Sequence, residues 1–223
     1  MNLHISPKSR LPLFAGIFWV FSVVLEVYSC FWLRVSYGAG LFGVLDTDAI
    51  RGMVNGLGAS AFLIFAILAS HNQIRRMAIP LGIAALYGLA TLFLSVLRCL
   101  PFSDMLLLEH TGTAVLLIAL LIVFVLARGN KGKYAAIALC AAGILFLSVM
   151  QITPAAPWLR YGMAHLRFAQ IAHLFVCVFA SWLRAIAPFV AFLLSALGLP
   201  WPNGVSQTDT PPGSGDAQNP LCR

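Results

Sequence analysis

The chain has 223 residues, of which 61% are hydrophobic and only 9% charged, and its mean hydropathy is +0.92. A soluble domain carries about 25% charged residues, so the composition excludes one. The net charge of +7 does not mark a nucleic-acid binder, because the basic residues gather in alternate connections between apolar runs.

Six apolar runs follow one another at residues 11–35, 54–70, 77–97, 111–127, 134–152 and 168–183. A bilayer core about 30 Å thick is crossed by about 20 apolar residues in a helix, and none of these runs alternates as a barrel strand does. The predicted fold is therefore all-α, a polytopic transmembrane helix bundle of six spans within residues 1–201. The first run is too long for a signal-peptide core and lacks a small-x-small cleavage site, so it is read as an uncleaved anchor. After the sixth run, Arg184 reads as a loop charge. Residues 185–201 read as an interfacial or half-inserted helix starting near Pro188, the alternative being a short seventh span. Residues 202–223 are rich in Pro, Gly and polar residues and are expected to form a disordered tail.

Loop charge sets the expected topology. Lys8, Arg10, Arg75, Arg76, Arg128, Lys131, Lys133 and Arg184 fall on one side, and Asp46, Asp48, Asp104 and Glu109 on the other. The positive-inside pattern then makes both ends cytoplasmic. A repeat is also visible: LFLSVLRCLP at 92–101 returns as LFLSVMQITP at 145–154. It is consistent with tandem helical hairpins of the kind found in transporters, against the plain reading that apolar helices resemble one another.

Ionisable groups inside a span are costly and are the first functional candidates. Glu26 sits within FSVVLEVYSCFW and His173 within the sixth run. Counted from the nearest basic residues, both are expected in the outer half of the membrane at similar depth. The candidate pocket comprises Glu26, Arg98, Asp104, His110, Arg167 and His173, with Glu109, Arg160 and His165 nearby. His110, His173 and Glu26 are the candidate metal ligands, arginines the candidate phosphate contacts, and Glu26 with His173 a candidate proton relay. The plain readings are a structural ion pair for Glu26, a cap for His110, a core histidine for His173 and a turn acid for Asp104. Glu26 has no basic residue near it in its own run, so its partner must come from another helix. Depth selects His173 first, then Arg98 or Arg167 by snorkelling.

No cofactor is assigned. The five cysteines form no CxxC, and only Cys30 and Cys99 fall near the same predicted face. His110, His165 and His173 each lack a deeper histidine in the same run, as paired haem ligation would need. Asn55-Gly56-Leu57-Gly58 leads into an apolar run, so close helix packing explains its glycines better than a phosphate loop does.

The chain has Asn55-Gly56-Leu57-Gly58 at the start of the second run, Leu100-Pro101-Phe102-Ser103-Asp104 after the third and His110 before the fourth. Gly162-Met163-Ala164-His165-Leu166-Arg167 and Trp182 follow. In this order of motifs it resembles a bacterial family of six-helix integral membrane proteins of unknown function. It differs in having one extra residue between Pro101 and Asp104, and His165 where that family has Gln. The resemblance implies a six-helix fold in a bacterial inner membrane and supplies no established activity. The functional expectation is an outward-facing polar pocket that binds a small amphiphile or a lipid headgroup. The bilayer is the expected partner and nucleic acid is not one. The alternatives are a small secondary transporter or proton-coupled permease, and a non-catalytic subunit or assembly factor of a membrane complex. Whether the chain is an enzyme is left open.

Overall fold

The computed structural model describes residues 10–36, 47–68, 77–97, 104–165, 167–199 and 201. It holds six helices: α1 (Arg10–Ser36), α2 (Thr47–Leu68), α3 (Ala78–Val96), α4 (Asp104–Leu126), α5 (Gly129–His165) and α6 (Phe168–Gly198). No strand occurs among the described residues. Candidate spans that are long and apolar enough to cross a membrane lie in α1, α4, α5 and α6, and α2 and α3 carry shorter apolar runs at Asn55–Ala66 and Ala78–Phe93. This is the build of a multi-pass membrane protein.

Each helix packs on its neighbours in sequence, and α6 returns to pack on α1. The six helices thus close into a ring. Large apolar side chains such as Phe14, Leu86, Leu126 and Leu145 face outward, as expected where lipid surrounds the protein. Within the ring, Trp19, Phe62, Phe124 and Phe192 are almost wholly buried. Their rings meet at 5.3–6.0 Å, mostly edge to face, and Phe124 also meets Trp201 at 5.6 Å. Such pairs add about 0.5–1.5 kcal/mol each beyond burial. The cluster fills the half of the ring nearer Arg10.

The departures from expectation that bear most on the site are in α5 and α6. The run expected to stop at residue 152 continues through Pro154 and Pro157, so α5 has 37 residues. A proline removes one backbone bond and bends a helix away from its ring. Both of these prolines lie on an exposed face, and the other side of the helix is held by α6. The second departure corrects the reading of residues 184–201. They are neither a loop with an interfacial helix nor a seventh span. One helix of 31 residues passes through Arg184 and Pro188 to Gly198. The proline read as a helix start lies mid-helix.

The registers follow from side-chain bonds. Trp182 Nε1 donates to Ser148 Oγ at 2.9 Å, Ser181 Oγ to Gln151 Oε1 at 3.0 Å, and Gln151 Nε2 to Glu109 Oε1 at 2.7 Å. Beyond this rung α5 runs fourteen more residues and α6 begins thirteen residues earlier, which is about 20 Å of helix each. Only five residues of α4 precede Glu109. The α5–α6 hairpin therefore extends roughly 12 Å past the start of α4. At the opposite end, Ala127 and Arg128 join α4 to α5, and Gly129 takes a φ of 64°, a conformation that costs other residues. Both Arg10 and Trp201 lie at this end. Residues 202–223, His71, Arg98 and the Cys30–Cys99 pairing lie outside the described residues or side chains.

Candidate functional site

Each of the six helices contributes to a single cavity of about 760 Å³, counting its open mouth. Trp19 comes from α1, Asn55 and Gly58 from α2, Tyr87 and Thr91 from α3, Glu109, His110 and Thr113 from α4, Leu147 from α5, and Arg184, Pro188 and Phe189 from α6. The apolar walls include Ala84, Leu117, Leu147 and Phe189. The aromatic cluster closes its floor.

The polar side chains of the wall form two systems. In the first, Arg184 Nη1 donates to Glu26 Oε1 at 2.9 Å. Asn55 Nδ2 donates to the other oxygen, Oε2, at 3.3 Å, and Asn55 Oδ1 accepts from Trp19 Nε1 at 2.9 Å. The chain Trp19–Asn55–Glu26–Arg184 thus links α1, α2 and α6. Glu26 is 5% exposed in its side chain and Arg184 25%, so the guanidinium is the member that reaches the cavity. An unpaired carboxylate in this setting would be costly, and the pair with its amide support removes that cost. Pro188 lacks the amide that would bond the Arg184 carbonyl, so the helix is interrupted at the arginine itself.

The second system joins α4, α5 and α6 through Glu109, Gln151 and Ser181. The Glu109 charge also acts on Arg184, so that the arginine lies in the field of two carboxylates. The hydroxyls of Thr91 and Thr113 donate to backbone carbonyls one turn back, at Tyr87 and Glu109. No buried side-chain nitrogen or oxygen among the described residues lacks a partner. The cavity wall is therefore held rigidly.

Of the six candidate residues, His110 lines the cavity and Glu26 is buried behind its wall, on Arg184. Asp104 opens α4, with its side chain outside the described set, and Arg98 is outside it too. Arg167 is exposed at the N-terminus of α6, where its backbone N–H is capped by Gln170 Oε1 at 3.1 Å. His173 is not at the depth of Glu26. Eleven residues separate it from Arg184 on the same helix, about 16 Å along the axis. The expected Glu26–His173 pairing is thereby corrected to Glu26–Arg184, and the proton relay built on that pairing goes with it. The depth estimate failed because it set the top of α6 level with the top of α1, whereas α6 starts well above. The metal reading fails on the same geometry. No group of three His, Cys, Asp or Glu side chains among the described residues is placed to hold an ion.

Arg184 escapes a sequence reading that places it in a loop ahead of a helix starting near Pro188. Glu109 was assigned to a loop because the fourth run was started at residue 111, while α4 starts at Asp104. Asn55 was noted only as part of a glycine motif. A polar residue amid apolar ones is the signal common to all three. No family model, curated protein or solved structure matches the chain.

Proposed function

We propose that this chain binds a small amphiphile inside the ring. The head sits against Arg184 and the polar side chains around it, and the apolar body against Ala84, Leu117, Leu147 and Phe189. The observation that carries this reading is the placement of Arg184: a permanent cation facing a mostly apolar cavity, with its counter-ion Glu26 buried behind it. We place the mouth on the outer side of the membrane. Arg10, Arg128, Lys131 and Lys133 share the opposite end of the ring, which the positive-inside rule makes cytoplasmic. Residence in a bacterial inner membrane, and membership of the six-helix family that the motifs resemble, belong to the same proposal. A lipid headgroup within the bilayer is one source of such a head, and a free amphiphile the other.

The test is thermal unfolding of the purified protein in detergent with added single-chain phospholipids or alkyl carboxylates. A saturable rise in the midpoint is expected, and Glu26→Leu/Arg184→Leu should abolish it. No rise with any of these amphiphiles, or an equal rise in the double variant, would sink the reading. A preference for phospholipid over alkyl carboxylate of equal chain length identifies the headgroup source.

A further inference from the structure

The two halves of α6 are held in different ways. Above Pro188, side-chain hydrogen bonds tie the helix to its neighbours: Ser181 to Gln151, Trp182 to Ser148 and Arg184 to Glu26. Below Pro188, the two described side chains that donate hydrogen bonds turn back on their own segment. Ser195 Oγ donates to the Ala191 carbonyl at 2.9 Å, and Trp201 Nε1 to the Ala196 carbonyl at 3.2 Å. Contacts of the lower half with other helices are apolar, and they include the floor itself, since Phe192 meets Trp19, Phe62 and Phe124.

The α5 surface facing this lower half is lined by small residues. On α5, Gly132, Ala136, Cys140 and Gly143 are all buried, and their spacing of three to four residues puts them in one row. A Cβ at Gly143 would overlap the Phe189 ring, and one at Gly132 would meet Trp201 at 3.0 Å. Phe189 of α6 is thus seated at Gly143, and Trp201, beyond the helix end, at Gly132. No described side-chain hydrogen bond ties the lower half to another helix, so bending at Pro188 leaves the bonds of the upper half in place. The proline between them supplies the break at which a helix bends.

We infer that the lower half of α6, from Pro188 to Gly198, is a gate, and that the chain carries its ligand across the membrane. Bending at Pro188 withdraws Phe192 from the aromatic cluster and opens the floor toward the Arg10 end. The upper half keeps Arg184 on Glu26, so the polar side of the binding wall persists while Phe189 moves with the gate and the access changes. The inference rests on the cavity reading above and adds to it passage from one end of the ring to the other.

The experiment uses Thr113→Cys as the only cysteine, in the full chain, in membrane vesicles of each orientation. The probe is a charged, membrane-impermeant maleimide. Arg128→Cys and Arg167→Cys, each alone, assign the two sides. Thr113→Cys should react from the Arg167 side and, more slowly, from the Arg128 side. Adding Pro188→Ala restores a helix bond and should slow the second reaction roughly ten-fold, leaving the first nearly unchanged. No reaction from the Arg128 side, or a rate there that Pro188→Ala leaves unaltered, would overturn the gate. No reaction from the Arg167 side would overturn the cavity reading as well, so the two failures are distinct.

Discussion

Arg184 Nη1 lies 2.9 Å from Glu26 Oε1, across 158 positions of sequence, and this bond joins the last helix of the ring to the first. Removing one partner leaves the other charged in a mostly apolar setting. Removing both leaves neither.

Glu26→Leu and Arg184→Leu should each destabilise the fold by about 3 kcal/mol, toward the low end for a buried pair because Arg184 reaches the cavity. The double variant should recover most of that loss while failing to bind amphiphile. Thermal unfolding of the four proteins as a double-mutant cycle measures the coupling. Additive losses would show that the pair is not a unit.

Asn55 holds two partners at once, Glu26 Oε2 and Trp19 Nε1. Asn55→Leu keeps the branched shape but strands the indole N–H and loosens the carboxylate. A loss of about 1–3 kcal/mol is expected. Trp19→Phe in the same background should return part of it, because it deletes the stranded donor. The quantity to compare is the unfolding midpoint with and without Trp19→Phe.

The all-α character and the six-helix count were legible, because a run of apolar residues fixes a helix without reference to its neighbours. Helix ends were less so. Gly129 and His165 bound a helix that sequence cues cut at residues 134 and 152, since Pro154 has the same local chemistry in a turn as on the exposed face of a packed helix. The site was half legible. Glu26 stands out as a lone carboxylate in an apolar run, and it is buried directly behind the cavity wall. Its partner could not be chosen by counting from helix ends, because that count assumes that all helices start at one level. The projecting α5–α6 hairpin breaks the assumption by displacing His173 upward and bringing Arg184 into register.

An even number of helices closing a ring places both ends of the described chain together. A thiol label at Lys131→Cys and one at Arg10→Cys should react from the same side of the membrane, and Arg167→Cys from the other. A membrane-impermeant maleimide on intact cells and on inverted vesicles reads this directly. Labelling of Lys131→Cys and Arg167→Cys from one side would show that α5 does not cross the membrane.

Gly143 lies against the buried Phe189 ring. Gly143→Val should overpack this contact at a cost of about 1–3 kcal/mol. The ring's other open side is the cavity that it lines, so the displaced Phe189 should also reduce amphiphile binding. Phe189→Ala combined with Gly143→Val should relieve the overpacking. Equal stability of the single and the combined variant would argue against the close approach.

His110 and His173 had equal standing as candidate residues, and the structure separates them. His110 is buried in the cavity wall on α4, whereas His173 lies on α6 about 16 Å along the axis from Arg184. His110→Ala should weaken the ligand-induced rise in unfolding midpoint, because it alters the wall. His173→Ala should leave that rise unchanged, since no part of the cavity is within its reach. Intrinsic stability can move in either variant without bearing on the point; the measurement that matters is the shift on adding amphiphile. If His173→Ala abolishes the shift and His110→Ala preserves it, the ligand binds near the hairpin and not within the ring.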